Sequence, residues 1–281
     1  MFVIINKRIA ATKTIIDKIK YFFTKKINVT ALDFNDMGVY ICYEMLLCAN
    51  AKKCSKIKKR LADTIELSDL KLVVCVKDEE VRNMFSVRGI SVADARDIYP
   101  TISGKLMLRL IEESGYPPNE CVAAISTSRI NPCVRKAAQH LARNIKELVI
   151  VSKDILAAEL AEEIYDSFGA SVVTAENLSK REDITHFLCF NRTREILSSV
   201  RLISEGYVLN LDNDCPLSRI RGYSVVDSAK FKVNFSNLPE NISENDFICA
   251  LWIEKKIALD ELEISSLTVM DRPARIRKSG Y

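Results

Sequence analysis

The stretch Ser126-Thr127-Ser128-Arg129-Ile130-Asn131 joins an apolar run, "CVAAIS", to a segment that opens Asn-Pro and continues with helical spacing. Small hydroxyls and one guanidinium at a strand-to-helix turn are groups that donate hydrogen bonds to a phosphate or carboxylate. Three more polar clusters follow later apolar runs: Ser152, Lys153 and Asp154; Asn191, Arg192 and Thr193; and Asp212 to Asp214. In an open parallel sheet, ligands collect beyond the carboxyl ends of the strands. That rule nominates Ser126, Ser128, Arg129, Asn131, Ser152, Lys153, Asp154, Asn191 and Asp212 as binding residues. Ordinary turns use the same residue types, so each cluster also reads as turn chemistry. The Asp212–Asp214 pair offers oxygen to a divalent cation, but nothing adjacent in sequence completes the ligand set. No metal site is expected.

The phosphate-cradling pattern G-x-G-x-x-G, laid on this turn, falls on Ser126, Ser128 and Asn131. In that pattern the first glycine makes the tight turn. The second lets backbone approach a pyrophosphate, and the third allows close helix–strand packing. A Cβ at position 128 stands where the pyrophosphate would rest, and Pro132 removes one amide from the helix start. Against this, serine is small and can donate, and Arg129 supplies charge. The chain holds only 8 glycines in 281 residues, about 3% against a usual ~7%, so the loss partly reflects composition. The expectation is a turn closed by a helix cap and no dinucleotide cofactor. NADP held by the serine-rich loop, with Lys153 on the adenosine phosphate, is the alternative.

Other chemistry-bearing residues point elsewhere. Of the nine cysteines, several sit inside apolar runs such as "LVVCV" and "HFLCF", as reduced, buried thiols do. Cys42, Cys48 and Cys54 recur every six residues, but six residues advance a helix by about 240°, so a shared site is not expected. His140 and His186 have no paired spacing. In "KKCSKIKKR", helical geometry gathers Lys52, Lys53, Lys56, Lys59 and Arg60 on one side. Such a stripe suits a phosphate backbone or an acidic partner, and equally a solvated helix face. No aromatic residue interleaves with it, which argues against a stacking platform for single strands.

The elements that must position these residues read as alternating strands and helices. In the first half, strands are expected at 2–6, 27–34 and 70–76, with helices over 15–23 and 36–66. Asp78, Glu79 and Glu80 start a further helix, which Gly89 ends. In the second half the strands are "CVAAIS", "ELVIVS", "SVVTAE", "HFLCFN", "GYVLNLD" and "YSVVD". Asn131-Pro132 caps a helix whose apolar face is Val134, Ala137, Ala138, Leu141 and Ala142. Leu156, Leu160, Ile164 and Phe168 line the next, closed by Gly169, and a last helix near 244–257 carries Trp252. "SGYPPNE" (114–120) is the expected boundary between a smaller α/β domain, 1–116, and a doubly wound parallel α/β domain, 117–281. The basic tail 272–281 follows.

The net charge of +4 does not demand nucleic acid or membrane. The apolar run before the first charges is too short for a signal peptide, and "VYICYEMLLCA" is too short to span a bilayer. A cytoplasmic protein with no membrane partner is expected.

From residue 117 to about 257, the layout of "AISTSRINPCVRKAAQHLARNIKELVIVSKD" and "GYVLNLDNDCPL" resembles the NAD(P)-binding domain of the shikimate dehydrogenase and glutamyl-tRNA reductase group. The resemblance implies a Rossmann-like domain. It also implies that Ser152-Lys153 stand where that group carries Asn-Arg, which favours the 2′-phosphate of NADP. It departs at the glycine loop, and the first half carries no catalytic motif of either enzyme, so no substrate follows. Three functions are consistent with the sequence. The first is a divergent Rossmann-like protein that binds a small ligand or protein partner without hydride transfer. The others are an NADP-dependent oxidoreductase and a nucleic-acid-associated factor using the 52–60 stripe.

Overall fold

The computed structural model describes residues 2–10, 25–34, 37–48, 50–66, 70–75, 78–179, 181–199, 206–215, 222–233, 235 and 237–272. The expected helix over 15–23 and the tail beyond 272 lie outside them. The chain divides into two compact units, one of residues 1–97 and 233–261, the other of residues 98–232 and 262–281.

The first unit is built on a five-stranded sheet. β1 (Val3–Ile9), an apolar run whose first residues are buried, lies at its centre. β3 (Val39–Leu47) pairs parallel to β1 on one side and antiparallel to the edge strand β2 (Ile27–Asp33) on the other. β4 (Leu72–Cys75) and β5 (Ser91–Val92) complete it, both parallel. Residues 39–47 are therefore a strand and not the start of the helix expected over 36–66. Their alternating burial satisfies two neighbouring strands at once, which tertiary pairing rewards above local helical spacing. The helix α1 begins only at Ala51 and runs to Glu66. Lys52, Lys53, Lys56, Lys59 and Arg60 are exposed on it, whereas Lys58 turns inward to Asp78, 3.5 Å away.

Asp78 caps α2 (Glu79–Ser86) through the Val81 amide at 3.2 Å, as its acidic start predicts. The chain returns to this unit late, with α7 (Glu244–Ile253). The buried Asp246 on α7 accepts from the Arg82 guanidinium at 3.0 Å and from the Ala95 amide at 3.0 Å. Arg82 also holds Asp94 at 3.0 Å.

The second unit carries a seven-stranded sheet of β6 (Val122–Ser126), β7 (Glu147–Val151), β8 (Val172–Ala175), β9 (His186–Cys189), β10 (Tyr207–Asn210), β11 (Tyr223–Phe231) and β12 (Ile264–Arg272). Their spatial order is β12-β11-β10-β9-β6-β7-β8. β6 to β11 are parallel, and β12, which alternation alone did not predict, pairs antiparallel with β11. The chain winds outward from β6 to β8 and then crosses back to β9. That places the switch point of a doubly wound, Rossmann-like sheet between β6 and β9.

Helix α3 (Tyr99–Glu113) belongs to this unit. Arg109 on α3 donates to the Ser265 carbonyl at 2.9 Å, and Glu113 accepts from the Leu267 amide at 3.2 Å, both on β12. An added Cβ at Gly104 on α3 would stand 3.2 Å from Ala137 Cα of α4 (Pro132–Ala142), so glycine permits the close approach of the two helices. The "SGYPPNE" stretch thus joins α3 to β6 inside the second unit, with Gly115 at φ 79° ending the helix. Its composition reports a sharp turn, which a domain boundary and a helix–strand connection share. On α5 (Leu156–Phe168), Leu160 and Ile164 are buried and Gly169 caps at φ 67°. Leu156 and Phe168 at its ends stay partly exposed, and the Arg143 guanidinium lies over the Phe168 ring, 4.6 Å from its centre.

Candidate functional site: the crevice at the switch point

Ser126 is the last residue of β6, fully packed, and its hydroxyl donates to the Asn191 carbonyl at 2.9 Å. Asn191 follows β9. Its side chain then reaches back: the Ser128 amide donates to Asn191 Oδ1 at 2.6 Å, and Asn191 Nδ2 donates to Ser128 Oγ at 3.0 Å. The two strand ends that flank the switch point are therefore clasped to each other. Thr127, buried in the turn, donates to the Arg129 carbonyl at 2.7 Å and accepts from the Arg129 amide at 3.3 Å.

The next amide along, Ile130 N–H, donates to Asp154 Oδ2 at 2.8 Å, while Asp154 Oδ1 accepts from Leu156 at 3.1 Å. The Ile130 amide, followed by that of Leu156, holds the Asp154 carboxyl below the usual carboxylate range. Ser152 accepts from the Asp154 amide at 3.1 Å, which fixes the approach of the β7 end. Asn131 caps α4 by accepting from Val134 at 2.9 Å, and Pro132 contributes no N–H. The amides of 128, 129, 130 and 134 are thus all engaged by side chains of the protein itself. A carboxylate occupies the donor that an anionic ligand would use. Arg129 and Lys153 are exposed.

On the β9–β10 side, Asp212 is buried and accepts from Thr193 at 3.0 Å and Asp214 at 3.0 Å, both backbone amides. The Thr193 hydroxyl donates to Asn210 Oδ1 at 2.7 Å, and Asn210 Nδ2 to the Cys215 carbonyl at 2.8 Å. Asp212 is thereby a turn-former at the start of α6 (Thr193–Ser199), its oxygens engaged by backbone. Arg192 sits at φ 58°, a backbone region few arginines occupy, and its Nε pairs with Glu195 at 2.9 Å.

Between these pieces lies a cavity of about 650 Å³ lined by Ser128, Asn191, Arg194, Glu195, Asp212 and Asp214, among others. Of the nominated residues, Ser128, Asn191 and Asp212 meet there. Ser126 supports Asn191 from below, and Ser152, Asp154 and Asn131 serve the turn beside it. Arg194, Glu195, Ser198 and Cys215 also line the cavity. Arg194, Glu195 and Ser198 lie on α6, a short helix with no clear apolar face in the sequence to announce it, and Cys215 closes the turn after β10, where Asn210 is legible as the last residue of a strand.

The buried His186 lies away from this crevice, at the amino ends of the strands. Ser114 Oγ donates to the Ile111 carbonyl at 2.7 Å and so accepts from His186 Nε2 at 3.0 Å. Nδ1 accepts from Thr185 at 2.8 Å, with the Cys121 sulfur 3.4 Å away. The ring stacks on Tyr207 with centroids 5.0 Å apart. Burial alone draws its pKa down to about 4, so it is a neutral structural histidine.

No protein-family model matches the sequence, and no curated protein matches it. Solved structures with a similar fold include an L-tryptophan dehydrogenase from Nostoc punctiforme, 13% identical, at TM-score 0.32, covering 76% of this chain and 65% of that one. This chain therefore spans just under two thirds of that enzyme's length. A shikimate 5-dehydrogenase from Listeria monocytogenes is 11% identical at TM-score 0.30, covering 74% of this chain and 77% of the other. A D-mandelate dehydrogenase from Rhodotorula graminis is 10% identical at TM-score 0.33, covering 91% and 78%. Likenesses of this size carry no argument about activity. The Rossmann-like assignment rests on the strand order of the second unit. Among the described residues, no helix is long and apolar enough to cross a membrane, and no group of three or more His, Cys, Asp or Glu could hold a metal ion.

Proposed function

We infer that the second unit is a Rossmann-like binding domain that takes a small polar ligand or a protein partner in the crevice and performs no hydride transfer. One observation carries this reading: in the turn that would cradle a pyrophosphate, the amides of residues 128, 129, 130 and 134 are engaged by Asn191, Thr127, Asp154 and Asn131. Backbone N–H groups at a helix start bind anions only while they lack a protein partner. The Asp154 carboxylate, ionised at neutral pH, repels a second anion from the same donor. The cavity beside the turn holds residues of both charges, which suits a small neutral or zwitterionic molecule better than a polyphosphate.

Calorimetry and thermal shift against NADPH, NADH, FAD, ATP and S-adenosylmethionine test the reading. The expected result is no nucleotide binding at micromolar concentration, and stabilisation by a small polar compound that is lost in Asp214→Ala. NADPH binding in the micromolar range, abolished by Lys153→Glu, would establish the oxidoreductase alternative instead. Salt-dependent duplex binding, lost on reversing Lys56 and Lys59, would move the function to the exposed stripe of α1.

A further inference from the structure

Cys48 and Cys54 are six residues apart, and a continuous helix would send them to different faces. The protein does not place them on one helix. Cys48 follows β3, while Cys54 lies in the first turn of α1, where its amide donates to the Asn50 carbonyl at 3.0 Å. The Cys54 thiol donates to the Cys48 carbonyl at 2.9 Å, and the Cys48 amide approaches the Cys54 sulfur at 3.4 Å. Six of the nine cysteines are buried, but both members of this pair are partly open to solvent.

Lys26 stands beside them. The Leu46 amide donates to the Lys26 carbonyl at 2.8 Å, which fixes Lys26 next to the end of β3. Burial draws the pKa of its amine down, and the Cys48 sulfur acts in the opposite sense as an attracting neighbour. A cation beside a thiol favours the thiolate, and the thiolate is the form that peroxides oxidise. At the other cysteines of this unit burial dominates: it pushes the Cys42 thiol and, despite the neighbouring Arg82 guanidinium, the Cys75 thiol up to about 11, and the Cys249 thiol up to about 12.

We propose that Cys48 and Cys54 form a reversible dithiol–disulfide pair that reacts with a hydroperoxide. The Cys48 thiolate attacks the peroxide; an S–O bond forms, the O–O bond breaks, and the alcohol or water leaves with a proton. Cys48 is then a sulfenic acid. The Cys54 thiol attacks that sulfur, the S–S bond forms as the S–O bond breaks, and the oxygen leaves as water with the thiol proton. Two sulfurs have been oxidised and one peroxide reduced. The Cys54 sulfur already lies against the Cys48 backbone, within hydrogen-bonding distance of its carbonyl and its amide. The product staples the exit of β3 to the first turn of α1.

The test is a titration of the full chain with hydrogen peroxide, followed by alkylation in denaturant and non-reducing proteolysis. Trypsin cuts after Lys52 and Lys53 and so puts Cys48 and Cys54 on separate peptides. The expected result is one joined pair of peptides, loss of two of the nine alkylatable thiols, and full recovery on reduction. In Cys54→Ser, dimedone is expected to label Cys48; Lys26→Met is expected to slow that labelling. Circular dichroism shows whether each variant is folded. The proposal is overturned if Cys48 and Cys54 remain alkylatable at peroxide doses that oxidise Cys133, or if folded Cys54→Ser yields no dimedone adduct on Cys48.

Discussion

Asn191 and Ser128 exchange two hydrogen bonds across the point where the strand order reverses, at 2.6 Å and 3.0 Å. In a doubly wound sheet this is the crevice that ligands enter, and here a side-chain amide spans part of it. The clasp links the turn after β6 to the turn after β9, which lie 63 residues apart in the chain.

Removing the clasp has a measurable cost. Asn191→Ala deletes both bonds and leaves the Ser128 amide to solvent, since that residue is exposed. Stability is expected to fall by about 1 kcal/mol, the net worth of such bonds at a partly wet site. Urea denaturation of the variant measures it. An unchanged midpoint would mean that water replaces Asn191 at no cost.

Asp154 closes the other half of the turn, and its carboxyl titrates lower in the folded chain than in the unfolded one, chiefly through the Ile130 amide. A depressed carboxyl contributes stability above the unfolded value, near pH 4, and loses it as pH falls through the folded value. Asp154→Asn is expected to lack that part of the acid dependence. In Asp154→Ala combined with Asn191→Ala, the freed amides are expected to respond to ADP with a rise in melting temperature that the parent protein does not show.

His186 makes a prediction of the same sign for the opposite charge type. Its folded pKa is about 4, below the ordinary value of 6.5, because burial excludes the cation. Below pH 6.5 the unfolded chain binds a proton that the folded chain refuses. Stability is therefore full above pH 6.5 and declines as pH falls toward 4, by up to about 3 kcal/mol. His186→Gln, which keeps a donor for Ser114, is expected to flatten the decline between pH 6.5 and 4 in denaturation curves. A parallel decline in both proteins would refute the assignment.

Asp246 anchors the late return of the chain to the first unit. Asp246→Ala removes the acceptor for Arg82 and for the Ala95 amide and leaves a part-buried guanidinium short of a partner. The expected loss is about 3–5 kcal/mol, read from chemical denaturation. Asp246→Asn keeps one acceptor and is expected to lose less.

Much of the second unit was legible in the sequence. The apolar runs "CVAAIS", "ELVIVS" and "HFLCF" are buried on both faces of a parallel sheet, and such strands announce themselves without periodicity. Asn131-Pro132 marked a helix start, and Asn131 caps it. The stretch 39–47 misled because its apolar spacing fits a helix as well as a strand, and pairing with β1 and β2 decides between them. The 114–120 connection misled because proline and glycine signal a break in regular structure but not what lies on either side.

The site divided in the same way. Residue types at the strand ends named Ser128, Asn191, Asp154 and Asp212 in advance, since turns after parallel strands must carry polar side chains. What those side chains do was decided only by tertiary structure. Whether an amide at 128 or 130 faces a ligand or an internal acceptor depends on groups 63 and 24 residues away in the chain. Hydrogen bonds between segments so distant are fixed by how the strands are ordered in the sheet, and local sequence carries no record of that order.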